Sequence, residues 1–150
     1  MNTLELLGAI SSIATAIGVG VAAVQLTATR RQSVASFEDL LTAQYRAITE
    51  KLPLEALFGE PLAADCLSKL LPHFYRYFDL SNEQAFHFKN RRISDQTWAN
   101  WRDGITSNMR RPAFATAWAE VARRASPDEF TDLRLLCPPL PTPGTRGSDA

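Results

Sequence analysis

Apolar residues follow two different patterns along this chain, one continuous and one periodic. Residues 6–24 read LLGAISSIATAIGVGVAAV, with three hydroxyl side chains among 19 residues, and no charged residue lies between Glu5 and Arg30. From Val34 onward, apolar residues recur every three or four positions, which is the spacing of one helix face. No alternation typical of a strand appears. The sequence therefore predicts an all-α protein, with an uncharged N-terminal helix that continues into a bundle of about five helices.

Breaks in the periodic pattern predict where the helices begin and end. No Gly or Pro lies between Gly20 and Leu52, which predicts one helix over residues 3–51. Prolines and Gly59 indicate a connector over 53–61, and Pro72 either starts a new helix or kinks a continuous one. Later helices are predicted to begin at three signals, which are an N-cap at Ser94, a first-turn proline at Pro112, and a capping box over 126–129.

The uncharged N-terminal segment is long enough to cross a membrane. About 20 apolar residues span a hydrocarbon core, so we predict a transmembrane helix over residues 3–29. A cleaved signal peptide fits poorly because no basic residue precedes the segment. A helix buried in a soluble oligomer is the remaining alternative. Arg30 and Arg31 follow the segment, so the positive-inside rule predicts a single-pass protein of the bacterial inner membrane, with the N-terminus outside and residues 30–136 forming a cytoplasmic helical domain.

Small residues recur every four positions within the N-terminal segment. Such stripes let helices approach closely in lipid, where close packing stabilises their association. We therefore predict homo-oligomer formation through this helix. A more specific alternative is an oligomeric pore lined by Ser11, Ser12 and Thr15. The residues predicted to pack are Gly8, Ser12, Ala14, Gly18 and Ala22.

Composition supports one ordered helical domain and a different C-terminal segment. The chain has 150 residues and no net charge, with 45% hydrophobic and 21% charged residues, as in ordinary globular proteins. Cys66 and Cys137 lack the spacing of a redox or metal motif. Residues 137–150 are rich in Pro and Gly, which predicts a disordered tail.

Charge is segregated along the helical domain. Residues 32–83 carry four basic and eight acidic side chains, a net charge of −4, whereas residues 89–124 carry eight basic and three acidic, a net charge of +5. We expect the two halves to pair, with Glu83 binding Arg102 and Asn82 binding backbone across a helix hairpin. Binding of lipid or nucleic acid by the basic half is the alternative. The residues that could make these interactions are Asn82, Glu83, Arg91, Arg92, Arg102, Arg110 and Arg111.

No catalytic motif appears in the sequence. GxSxG, GxxxxGK[ST], GxGxxG and HExxH are all absent, and His73 and His87 are 14 residues apart, too far to share a metal on one helix. We therefore predict a non-enzymatic protein with no catalytic, cofactor-binding or metal-binding residues.

One stretch of the chain resembles a known type of protein. Residues 74–105 contain YF-x-L-x-N-E followed by I-x-x-x-x-W-x-x-W-x-x-G-I, here Tyr77, Phe78, Leu80, Asn82, Glu83, Ile93, Trp98, Trp101, Gly104 and Ile105. With the small-residue helix before it, this stretch resembles bacterial membrane-anchored all-helical families of unknown function. A weaker likeness is to membrane accessory proteins of CRISPR systems. The resemblance implies architecture and membrane location.

These observations together predict a function through protein–protein contacts. We expect a membrane scaffold, sensor or defence-related accessory that binds the lipid bilayer, its own copies and an unidentified protein partner. An oligomeric pore-forming effector and a nucleic-acid-binding module using the Arg pairs are the alternatives.

Overall fold

The computed structural model describes the backbone of residues 3–138 and the side chains of residues 18–138. Within this part of the chain every regular element is an α-helix, which confirms the predicted all-α class. The helices are α1 Thr3–Thr49, α2 Leu54–Phe58, α3 Ala64–Lys89, α4 Asp95–Met109, α5 Pro112–Arg124 and α6 Thr131–Leu136. The predicted tail lies outside the described residues from position 139 onward.

The contacts divide the chain into two units, Met1–Phe37 and Glu38–Ala150. In the first unit, every side chain of residues 18–33 is exposed, including Gly18 and Ala22 of the predicted packing stripe. The other three stripe residues, Gly8, Ser12 and Ala14, lie outside the described side chains. Among the described residues, no helix is long and apolar enough to cross a membrane. Residues 3–17 of the predicted span are not among the described side chains.

Helix α1 ends as the sequence predicts, within two residues. Thr49 is its last residue. The helix does not continue to Pro53, because proline disfavours helical backbone in the residue before it. Helix α2 is a single short helix of five residues within the predicted connector. It ends at Gly59, whose φ of 91° is the left-handed conformation that closes helix C-termini and that glycine adopts without strain.

Helix α3 is continuous through Pro72, which resolves the alternatives left by the sequence. Proline cannot donate the usual bond to the preceding turn, yet its side chain is exposed here and the helix continues to Lys89. Asn90 then closes the helix, because its Nδ2 donates to the carbonyl of Phe86 at 2.8 Å. The turn that follows places Arg91 at φ 58°.

The N-terminus of α4 is capped twice. Ser94 Oγ accepts from the Thr97 amide at 3.3 Å, which confirms the predicted N-cap. A second cap comes from α1: Glu38 Oε1 accepts from the Ser94 amide at 2.7 Å, and Glu38 Oε2 accepts from Thr97 Oγ1 at 2.8 Å. Glu38 therefore ties the end of α1 to the start of α4.

The predicted capping box over 126–129 is wrong. Residues 127–130 form a turn, and α6 begins only at Thr131, after Phe130 at φ 58°. Phe130 is buried against Trp118 and Tyr75, which draws the turn toward the core. The cap comes from α3 instead, because Asn82 Oδ1 accepts from the amides of Asp132 and Leu133, each at 3.0 Å. Asn82 thus binds backbone, as predicted, and the backbone is that of α6.

Loss of this distant cap should destabilise the protein. We expect Asn82→Ala to lower the free energy of unfolding by about 1–3 kcal/mol, because two amides of α6 lose their acceptor. Asn82→Asp keeps the acceptor oxygen and should stay within about 1 kcal/mol of the parent. Urea unfolding of the full chain measures both. Equal midpoints for Asn82→Ala and the parent would show that α6 does not need the cap.

Helix α3 is the centre of the core, packing against α4, α5 and α6. Its buried face is aromatic, and Phe74 and Tyr77 both meet the ring of Phe114 on α5 edge to face, at 5.1 and 5.0 Å. Phe78 contacts Trp118 at 5.0 Å. Phe74, Tyr77 and Phe78 of α3 are therefore core residues, whereas Tyr75 and Phe86 of the same helix are 42% and 48% exposed.

Candidate ligand cavity

A cavity of about 330 Å³ lies between the C-terminal part of α1, the middle of α3 and the middle of α4. All of its lining belongs to the second unit, which begins at Glu38. The volume is at the lower end of the range for small-molecule sites. The lining residues are Thr42, Tyr45, Arg46, Tyr77, Ser81, Gln84, Asn100, Trp101, Gly104 and Ile105.

Aromatic side chains form walls of this cavity on three helices. Tyr45 of α1 lies against Tyr77 of α3, with ring centroids 6.3 Å apart and the planes tilted by 56°. Trp101 of α4 is half-buried, and its indole makes no ring contact or hydrogen bond with any described residue. An aromatic face of this kind is available to stack on a planar group.

Two polar groups at the cavity are already satisfied by the protein. The Tyr77 hydroxyl accepts from Asn108 Nδ2 at 3.0 Å, and Ser81 Oγ donates to the Tyr77 carbonyl at 2.8 Å. Burial raises the pKa of Tyr77 to about 12, although the Asn108 amide opposes that rise. This tyrosine is therefore a neutral part of the cavity wall at physiological pH.

Other polar side chains at the cavity have no hydrogen-bond or ion-pair partner among the described residues. Gln84 is 4% exposed, and neither it nor Asn100 makes a side-chain hydrogen bond with a described residue. Arg46 forms no ion pair with a described residue. Buried polar groups are nearly always hydrogen-bonded, and leaving one unsatisfied costs about 1–3 kcal/mol. Gln84 avoids this cost because its amide opens on the cavity, where water or a ligand can bind it.

Gly104 is an exposed residue of the cavity lining. A Cβ built at this position meets nothing within 4 Å, although the residue lies in the interior of α4. Glycine inside a helix costs about 1 kcal/mol relative to alanine. No backbone requirement explains this glycine, since its φ is not positive, but it does keep one wall of the cavity free of a side chain.

Filling the position with a methyl group should stabilise the fold. We expect Gly104→Ala to raise the free energy of unfolding by about 0.5–1 kcal/mol, because alanine favours the helix and the space is open. The matched control is Gly59→Ala, which should lower stability because φ is 91° there. Thermal unfolding of both variants checks the pair. A destabilised Gly104→Ala would mean that the space beside α4 is not open.

The predicted pairing of Glu83 with Arg102 is wrong. Glu83 Oε1 lies 3.3 Å from His87 Nε2, one turn along α3, and the Glu83 side chain is half exposed. Arg102 instead contacts its neighbour Asp103 at 3.3 Å and is also half exposed. Both pairs are local: Glu83 and His87 are i,i+4 neighbours on one helix face, and Arg102 and Asp103 are adjacent in the chain.

The ion pairs described do not bear out pairing between the two charged halves. Arg123 and Arg124 both bind Glu120 on their own helix, and these bonds lower the pKa of that carboxyl. Lys89 contacts Asp132 at 3.4 Å. The acidic half meets the basic half through a hydrogen-bonded cap, that of Glu38 on the α4 N-terminus.

The other predicted basic residues are spread over the surface. Arg91 and Arg92 lie in the turn before α4 and are exposed. Arg110 and Arg111 lie after α4, and the 15 residues of this helix separate the two pairs by about 22 Å. The sequence grouped these arginines by position in the chain, but the fold places them at opposite ends of a helix.

Sequence reasoning missed most of the cavity residues, although a signal was present. Phe74, Tyr77, Ser81 and Gln84 share one face of α3 by their spacing, and the amide of Gln84 is out of place on an apolar face. Four residues of the resemblance pattern, Tyr77, Trp101, Gly104 and Ile105, also line the cavity. Arg46 and Asn100 carry no signal of their own in the sequence.

Two further observations complete the chemistry of the described residues. Among residues 18–138, no group of three His, Cys, Asp or Glu side chains comes close enough to hold a metal ion. Cys66 and Cys137 are free thiols, and burial raises the pKa of Cys137.

In comparisons with known proteins, no family model matches the chain, and no curated protein or solved structure is significantly similar to it.

Proposed function

We propose that this protein is a membrane-anchored sensor whose helical unit, from Glu38 onward, binds a small molecule in the cavity between α1, α3 and α4. The observation that carries the proposal is Gln84, a 4% exposed residue that lines the cavity and whose side chain makes no hydrogen bond with a described residue. A ligand that bonds this amide satisfies a group that the protein leaves open.

The position of the cavity supports a sensing role. Its walls come from three helices, so a ligand that contacts all three favours the packed arrangement over any looser one. A ligand present at 100 times its Kd stabilises the state that binds it by about 2.7 kcal/mol. A sensor of this kind signals through the stability of the helical unit, which a protein partner or a second copy can read.

The test uses nicotinamide, a planar ring with an amide, as a probe of the cavity. We expect it to raise the thermal unfolding midpoint of the full chain and to shift the side-chain amide resonances of Gln84. The matched variant is Gly104→Leu, which places a large side chain on the cavity lining at a position with no atom within 4 Å of its Cβ. It should fold but show neither effect. Equal responses from both proteins, or none from the parent, would contradict binding in the cavity.

The N-terminal segment supports the proposal of a membrane anchor. Residues 6–29 carry no charge, and the described part of the segment is apolar on opposite sides of α1. Val19 and Leu26 lie on one side of the helix and Val21 and Val24 on the other, each 51–72% exposed. A helix that is apolar all round needs lipid or protein cover on every side.

Charged residues in the segment should abolish anchoring. An arginine near the centre of a membrane helix costs about 2.5–3.5 kcal/mol on insertion scales. We therefore expect Ile13→Arg with Ile17→Arg to move the full chain from the detergent-extracted membrane fraction to the soluble or aggregated fraction. Ser33→Arg with Ser36→Arg, outside the segment, is the control and should stay with the membrane. Parent protein that is recovered without detergent would overturn the anchor.

A further inference from the structure

The cavity has the chemistry of a site for a nucleotide. We propose that it binds a single adenine nucleotide, with the base against Trp101, its edge bonded by Gln84 and Asn100, and its phosphate at Arg46. This inference rests on the proposed function, because it names the ligand class of the same cavity.

Charge favours an anionic ligand. Arg46 is the one charged residue among those that line the cavity, and it forms no ion pair with a described residue. The described residues that line the cavity include no carboxylate to oppose an anion. Guanidinium groups bind phosphate through paired N–H donors, so Arg46 is a suitable partner for a phosphate at the cavity rim, where it is exposed.

Shape and polarity favour a planar heteroaromatic group beside that anion. Trp101 offers a half-buried indole without a ring partner among the described residues, on which a base can stack. Gln84 and Asn100 each present a carboxamide with one acceptor and two donors. Asn and Gln bind the N6 and N7 atoms of adenine in a bidentate manner, whereas guanine offers two acceptors on that edge and is matched by Arg or Lys.

The volume limits the size of the ligand. At about 330 Å³ the cavity is near the smallest of small-molecule sites. This space suits one nucleotide and is too small for an oligonucleotide. The separation of the Arg91–Arg92 and Arg110–Arg111 pairs at opposite ends of α4 places neither pair in the cavity lining. The inferred ligand is therefore a mononucleotide and not a nucleic acid strand.

Isothermal titration calorimetry of the full chain with AMP, GMP, adenosine and ribose 5-phosphate tests the inference at physiological salt. We expect AMP to bind about 5- to 150-fold more tightly than GMP, which is the discrimination of one bidentate amide–base pair. Adenosine should bind more weakly than AMP, and ribose 5-phosphate should not bind measurably. AMP binding no tighter than GMP binding would overturn the assignment of adenine, and ribose 5-phosphate binding as tightly as AMP would overturn the role of the base.

Variants assign each part of the ligand to its side chain. Arg46→Gln should weaken AMP binding and leave adenosine binding unchanged, while Arg102→Gln, an exposed α4 arginine outside the cavity lining, should change neither. Gln84→Met keeps the side-chain shape and should remove the preference for AMP over GMP. If Gln84→Met does not fold, Asn100→Ala at an exposed position should reduce the same preference. A preference that persists in these variants would contradict the proposed base contacts.

The nicotinamide experiment separates this inference from the proposed function. If nicotinamide binds the parent but not Gly104→Leu, and AMP does not bind the parent, the nucleotide assignment is wrong and the proposed ligand cavity still holds. Absence of binding by both probes would overturn both.

Discussion

Replacing Phe114 with Ala is expected to lower the free energy of unfolding by about 3–5 kcal/mol, the usual effect of truncating a fully buried aromatic residue. Phe114 is 0% exposed and lies between the rings of Phe74 and Tyr77, so its removal leaves a cavity at the contact of α5 with α3. Domains of this size are stable by only about 5–15 kcal/mol, so the loss is a large share of the total.

The matched control is Phe58→Ala in α2. Phe58 is 77% exposed, and truncating it should change stability by no more than about 0.5 kcal/mol. Urea unfolding of the full chain, followed by far-UV circular dichroism, compares the two. Similar midpoints for both variants would mean that Phe114 is not at the centre of the core.

The stability of the protein should also fall steeply above pH 10, because of Tyr77. Its pKa rises from 10.0 to about 12 in the fold, so the native state retains a proton that the unfolded chain releases. The contribution of protonated Tyr77 to the free energy of unfolding is therefore fully present below pH 10 and is lost as the pH rises from about 10 to 12. Each unit of pKa difference corresponds to 1.36 kcal/mol, which gives a loss of about 2–3 kcal/mol.

Two variants isolate this contribution. Tyr77→Phe should be about 1–3 kcal/mol less stable than the parent at neutral pH, because the buried Asn108 amide loses its acceptor. Between pH 10 and 12, however, it should lose less stability than the parent does. Tyr45, which contacts Tyr77, is 37% exposed. Tyr45→Phe should therefore lose as much stability between pH 10 and 12 as the parent does. Parallel pH profiles for the parent and Tyr77→Phe would contradict a buried phenol.

Local signals along the sequence were sufficient to define several helices. The absence of Gly and Pro predicted the C-terminal end of α1 to within two residues, and Ser94 and Pro112 marked the starts of α4 and α5. These signals are reliable because each acts on backbone within one turn of itself. The capping box over 126–129 follows the same local rule and was nevertheless wrong, because burial of Phe130 outweighs a cap that an exposed serine offers.

Partners distant along the chain could not be predicted in the same way. Glu38 caps α4 from 56 residues away, and Asn82 caps α6 from 50 residues away. Charge counts over whole segments predicted pairing of the two halves, and the ion pairs described are instead mostly between neighbours on one helix. A count of charges carries no information on which side chains face each other.

The sequence by itself determined the helical class and most helix ends, because helical periodicity and turn chemistry are local properties of the chain. Only the tertiary structure decided where Arg46, Gln84, Asn100 and Trp101 meet. These residues come from three helices, and the pattern within one helix does not show which residues of the other two lie beside it. The cavity exists because Glu38 and the Tyr45–Tyr77 contact hold the C-terminal part of α1, from Glu38 onward, against the helices that carry the other walls.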